Sequence, residues 1–175
     1  MTADTARLFL GLELNDEARR ALDETRRALQ SAGVIGKFHA APLYHLTLVF
    51  LGNLSTQTLP ALKEVMHSVP YAPFGLTLSA LGTFKNGSIL WAGVKESPAL
   101  MEYRRRLAQA LREADFAFEE GEYRPHITLA RQVKTAPPAI EIPEITFPAR
   151  HATLFESTRI NGALTYLPIY RSVFQ

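Results

Sequence analysis

The chain of 175 residues contains no cysteine. That excludes disulfides, thiol nucleophiles and zinc–thiolate sites. Charge of one sign is also scarce: 19 basic residues against 17 acidic ones leave a formal net charge of +2. A protein that wraps duplex nucleic acid normally carries a far more basic face, whereas recognition of one phosphate or one strand end needs little net charge. No apolar run approaches the length of a membrane span. The opening MTADTARLFLGLEL has one basic residue and a short apolar stretch of strand type, unlike a signal peptide. The expectation is a soluble, cytoplasmic protein with no membrane partner. What remains is an ordinary globular composition, 47% hydrophobic and 21% charged, in a length suited to one domain or two small lobes sharing a core.

RLFLGLEL (7–14) reads as a buried strand. The next segment follows helical spacing, with Ala18, Ala21, Leu22, Leu29 and Ala32 on one stripe, Asn15 as N-cap and Gly33 as the stop. HLTLVFLGNL (45–54) is a strand, and a helix follows near 58–69, where Pro60 is tolerable only in the first turn. GLTLSALGTF and SILWAGV, joined through Lys85-Asn86-Gly87, form a hairpin, with Asn86-Gly87 suited to a type I′ turn. Ser97 then caps a helix with Pro98 at its first position and Leu100, Leu107, Leu111 and Ala114 inside. HITLARQV is a strand. A Pro-rich connection over 136–148 precedes two more strands, ARHATLFES and LTYLPIYRSVF.

Two phrases in this layout match. His45-Leu46-Thr47-Leu48 and His126-Ile127-Thr128-Leu129 share the pattern H-[LI]-T-L. Arg7 opens a strand 38 residues before His45, and Ser88 opens one 38 residues before His126, each with a helix between. The repeated strand–helix–strand frame predicts an α+β fold over residues 1–175 as a single bilobal domain. Its two pseudo-symmetric lobes are each a mainly antiparallel sheet with flanking helices, and the cleft lies between them.

Side chains at i and i+2 of a strand share a face, so each motif aims an imidazole and a hydroxyl the same way. Two facing motifs suit acid–base chemistry: a neutral imidazole takes a proton, an imidazolium gives one, and hydroxyls hold oxygens. Arg131 adds a planar fork for phosphate. One difficulty is geometric. Phe50 and Arg131 each stand five residues after their histidine, on the opposite face of a regular strand, so the strands must bulge, twist or end to bring them in. His39, His67 and His151 are read as surface or helix-face residues. Neither motif has an acid within four residues downstream, and Glu122 is a weak candidate ligand, so no metal is expected. Arg104-Arg105-Arg106 reads as the solvated face of a helix. Arg124 is read equally as a contact to a nucleic-acid strand end or as a surface residue.

At these residues the sequence resembles the two-histidine (2H) phosphoesterase superfamily, and within it the bacterial and archaeal RNA 2′,3′-cyclic phosphodiesterases, also called 2′,5′ RNA ligases. The extended patterns H-x-T-x-x-F and H-x-T-x-x-R are met by His45, Thr47 and Phe50 and by His126, Thr128 and Arg131. RLFLGLEL, ILWAGV and the closing LFES…Y region extend the likeness over nearly the whole chain. The resemblance implies metal-independent opening of an RNA terminal 2′,3′-cyclic phosphate to a 2′-phosphate, without a cofactor. It makes His45 the general acid and His126 the general base, with Thr47, Thr128 and Arg131 on the phosphate and Phe50 stacked on the base. RNA ends or cyclic nucleotides are the partners implied, and a monomer is expected. Two alternatives share these residues: ligation or cleavage of 2′,5′ linkages, and a non-catalytic module that binds RNA ends.

Overall fold

The structure, a computed structural model, describes residues 4–175. Nine strands and three α-helices follow in order: β1 (Thr5–Glu13), α1 (Asp16–Ser31), β2 (Lys37–Phe38), β3 (His45–Ser55), α2 (Leu59–His67), β4 (Phe74–Phe84), β5 (Ile89–Val94), α3 (Pro98–Glu113), β6 (His126–Arg131), β7 (Thr146–Ala149), β8 (His151–Ile160) and β9 (Ala163–Val173). The helix ends obey local chemistry. The Asn15 side chain accepts from the Ala18 amide at 2.9 Å, and Gly33, at φ 86°, follows the last turn of α1. The Ser97 hydroxyl caps α3 through the Leu100 amide, with Pro98 where its missing N–H costs nothing.

The strands form two antiparallel sheets, one ordered β3-β1-β8-β9 and the other β2-β6-β5-β4-β7. The orders correspond: the strand bearing a His-x-Thr phrase pairs with the strand that opens its repeat unit. This is the duplication seen in the sequence. The helices interlock the two sheets, because α1 reaches β7 and α3 reaches β3, each on the sheet opposite its own repeat unit. The apolar residues of both lobes therefore join in one core, in which Leu8, Leu10 and Leu12 of β1, Leu22 and Leu29 of α1 and Leu107 and Leu111 of α3 are wholly buried. Each such leucine contributes about 1.5–3 kcal/mol.

Two local expectations shift. The turn after β4 centres on Lys85 and Asn86, at φ 50° and 55°, with Gly87 continuing at φ 90°, and the Phe84 carbonyl accepts from the Gly87 amide. The tight Asn-Gly turn is instead Asn161-Gly162, between β8 and β9. The end of the Pro-rich connection is a strand, β7, whose Phe147 is fully buried beside Leu76 of β4. Pro148 is accommodated because β7 lies at the sheet edge.

Candidate active site

Bulges decide which side chains reach the cleft. Along β1, Leu10 pairs with Val49 and Gly11 with Thr47, so Leu48 is the extra residue. Along β5, Leu90 pairs with Ala130 and Trp91 with Thr128, so Leu129 is the extra residue. Both bulges fall three positions after the histidine. Each reverses the side-chain alternation: Leu48 and Val49, like Leu129 and Ala130, are all buried. Phe50 and Arg131 thereby rejoin the faces of His45–Thr47 and His126–Thr128. Phe50 lines a cleft of about 290 Å³ together with Thr47, Phe84, Arg104 and His126.

The histidines are held alike. Nδ1 of His45 lies 2.8 Å from the Leu43 carbonyl, and Nδ1 of His126 lies 2.7 Å from the Arg124 carbonyl, each two residues upstream. A carbonyl only accepts, so Nδ1 carries the hydrogen and each neutral ring keeps its lone pair on Nε2. At His45 that atom accepts from the Thr47 hydroxyl at 2.8 Å. Burial pulls His45 down to about 4, helped by the charges of His39, His126 and Arg19 and opposed by the Leu43 carbonyl. His126 is lowered by burial and then by Arg131. Both rings are therefore mainly neutral at neutral pH. Aromatic side chains supply much of this low-dielectric wall. Phe9 and Tyr166 stand 4.7 Å and 5.1 Å from His45, and Phe84 stands edge-on to His126 at 4.9 Å.

The outer edge of β3 is covered rather than open. The Glu119 amide donates to the Phe50 carbonyl, the Tyr123 hydroxyl to the Thr47 carbonyl and Arg104 Nε to the Leu48 carbonyl. The segment before β6 thus straps the two motifs together and satisfies an edge that would otherwise template aggregation. Arg104 accordingly leaves the solvated face expected for the arginine run and lies over the Tyr123 ring at 5.0 Å. Arg105 and Arg106 do stay outside, paired with Glu102. Arg124 is exposed and paired with Glu122.

Other expectations about histidines are corrected. His67 is exposed at the end of α2, but His39 is buried, its charged form disfavoured to about 4 by burial and by Arg131. His151 lies half-buried on β8 with Nε2 2.7 Å from Glu13, which Arg171 also holds. It opens a third run of the same type, His151-Ala152-Thr153-Leu154, which its reading as a surface residue overlooks. Its imidazole is committed to Glu13 and Thr153 is fully buried. The run lacks the strand–helix unit that precedes the other two.

Trp91, Gly82 and Tyr166 lie outside the two paired phrases, which assign them no role. Trp91 sits directly opposite Thr128 on one side and Gly82 on the other. A Cβ at Gly82 would come within 2.2 Å of its ring. Gly82→Ala is expected to destabilise the fold by about 1–3 kcal/mol, as overpacking does, and to shift the emission of Trp91, the single tryptophan. Thermal denaturation and fluorescence check this; an unchanged melting point and spectrum would show that the ring yields freely.

The sequence profile of the 2′-5′ RNA ligase superfamily matches residues 13–160. The chain is 31% identical to the RNA 2′,3′-cyclic phosphodiesterase of Escherichia coli (strain K12) over 175 residues, 97% of each chain. It is 35% identical to the RNA 2′,3′-cyclic phosphodiesterase of Geobacillus stearothermophilus over 129 residues, and this match covers 71% of this chain but only 41% of that protein. The crystal structure of E. coli LigT complexed with 3′-AMP superposes with a TM-score of 0.88 at 26% identity, covering 98% of this chain and 99% of that one.

Proposed function

The chain belongs to the 2′-5′ RNA ligase superfamily, and from that premise we propose that it opens the 2′,3′-cyclic phosphate at an RNA end to a 2′-phosphomonoester. One observation carries the reading: two imidazoles share one tautomer, each with Nδ1 tied to a backbone carbonyl, so that Nε2 faces the Thr47 hydroxyl at His45 and is without a partner among the described residues at His126. A binding module would be served by arginines and has no use for matched lone pairs.

In this mechanism His126 Nε2, which has no hydrogen-bond partner among the described residues, takes a proton from water as the water oxygen attacks phosphorus. The P–O3′ bond breaks, and the proton on His45 Nε2 passes to O3′. His126 ends protonated and His45 neutral, and exchange with solvent resets both. Arg131 and the hydroxyls of Thr47 and Thr128 hold the non-bridging oxygens, where charge grows in the transition state. Phe50 offers its ring to the terminal base. Because burial disfavours the His45 imidazolium, His45 takes its proton from solvent as the substrate binds. The phosphate anion favours the imidazolium and reverses the depression.

The decisive assay incubates the protein with a 2′,3′-cyclic mononucleotide and a cyclic-ended RNA oligomer in the presence of EDTA. Both should be opened to 2′-phosphates, since among the described residues no three His, Cys, Asp or Glu side chains converge as a cation site. Loss of turnover with chelator, restored by one divalent ion, would replace this mechanism by a metal-assisted one.

The pH dependence should betray the proton uptake. kcat/KM reports the free protein, in which both imidazoles are depressed, so its bell should peak on the acid side of an ordinary histidine. kcat reports the complex, and its bell should lie at higher pH because the bound phosphate raises the pair. The apparent values belong to the pair rather than to either ring. Coincident profiles rising steadily into alkali would point to hydroxide attack without a histidine acid.

A further inference from the structure

The cleft has two unlike sides. Glu119, Glu120 and Glu122 line one wall together with Arg104, and its charges are largely spoken for: Glu120 pairs with Arg112, Glu122 with Arg124, and Arg104 is held against the Leu48 carbonyl and the Tyr123 ring. On the other side Arg7 is exposed, and no carboxylate pairs with it among the described residues. Its guanidinium carbon lies 5.1 Å from the centre of the Phe50 ring. Tyr166 stands nearby, edge-on to both His45 and Phe9. Burial raises the Tyr166 phenol while the charges of Arg131 and Arg7 both oppose the rise. Ring contacts thus run from Phe50, beneath Arg7, to Phe9 at 6.4 Å, on to Tyr166 at 5.0 Å and so to His45.

We propose that Arg7, with the Tyr166 hydroxyl, binds the phosphodiester one nucleotide upstream of the cyclic end, so that the protein reads the end of an RNA chain in preference to a free nucleotide. The inference rests on the phosphodiesterase reading and specifies its substrate. A strand whose last base lies on Phe50 must leave the cleft on one side or the other. On the glutamate wall the arginines are already engaged, whereas the Arg7 guanidinium is unpaired among the described residues and attracts a polyanion. Arginine is also well suited to hold a phosphodiester. Its planar fork matches phosphate oxygens, and resting over an aromatic ring limits the freedom it loses on binding. Phe50 lines the cleft and Arg7 lies over its ring.

The test compares kcat/KM for a cyclic-ended oligomer with that for a 2′,3′-cyclic mononucleotide lacking a 5′-phosphate. The ratio of the two should fall about tenfold in Arg7→Gln, the effect of one charge-assisted contact. The oligomer's dependence on log salt should become shallower by about 0.7, the value of one single-strand phosphate. Arg7→Lys should keep the salt slope and lose part of the ratio, and Tyr166→Phe should lower the ratio alone. An unchanged ratio and slope in Arg7→Gln would overturn the proposal, as would equal losses on both substrates, which mean that Arg7 merely supports Phe50. If the unaltered protein opens neither substrate, the phosphodiesterase reading falls instead. Binding of a 2′-phosphate-ended oligomer and of a 2′-mononucleotide, by the same ratio and slope, then decides the role of Arg7 without turnover.

Discussion

His126→Ala and His45→Ala should each cut turnover by about two to four orders of magnitude, the usual worth of a positioned proton-transfer group. The losses should not add in the double variant, because a base without its acid, or the reverse, leaves the same stalled step. The two rings are tied by equivalent hydrogen bonds, so these losses alone do not tell acid from base. The leaving group does. With sulfur in place of O3′, the departing thiolate needs no proton, so His45→Ala should recover most of its loss while His126→Ala stays inactive. Rescue of His126→Ala would exchange the roles, and equal rescue of both would remove the acid from the mechanism. The environments favour the first outcome: His45 Nε2 sits against the Thr47 hydroxyl, whereas His126 Nε2 is left for water.

Arg131→Ala should lose about 10²–10³-fold in turnover, as removal of an oxyanion donor does elsewhere. Arg131→Lys should recover little of it. Lysine places one ammonium where the guanidinium offers a fork, and a point charge does not reproduce two parallel contacts to phosphate oxygens. The position amplifies the cost. Arg131 ends β6 just beyond the Leu129 bulge, and its charge already acts on His39, His126 and Tyr166. Arg124, just before β6, is engaged with Glu122. Steady-state kinetics on a cyclic mononucleotide decide the matter. Near-normal turnover in the lysine variant would mean that charge alone suffices and that the planar fork is incidental. Arg131 is exposed, so neither variant should lose stability, and matching melting curves would secure the comparison.

Much of this architecture is legible in the order of the residues. The strand and helix segments follow from period-two and 3.6-residue patterns, with caps at Asn15 and Ser97 that bond as their types dictate. The paired phrases at His45 and His126, in equal frames, indicate two lobes sharing a cleft. The sequence also poses the parity problem for Phe50 and Arg131 without choosing its solution. A bulge, a twist and an early strand end all satisfy a one-residue change of face. Only the pairing of Gly11 with Thr47 and of Trp91 with Thr128 selects a bulge, and in both strands at the same place.

Local chemistry, then, determined the elements and their caps, because each depends on residues within a few positions of one another, and the repetition of one phrase in equal frames marked the duplication. Tertiary structure decided what depends on neighbours far along the chain. His39 is buried because β6 closes over it. His151 differs from its two look-alikes because Glu13 reaches it across the sheet, 138 residues away in sequence. Tyr166 joins the site from β9 with no motif of its own, and Arg104 turns inward because the edge of β3 has a carbonyl to satisfy. The physical reason is common to all four. A sequence states how each side chain is oriented on its own element, whereas burial, charge and hydrogen-bond demand arise only when elements pack, and those are what turn a residue into part of a site.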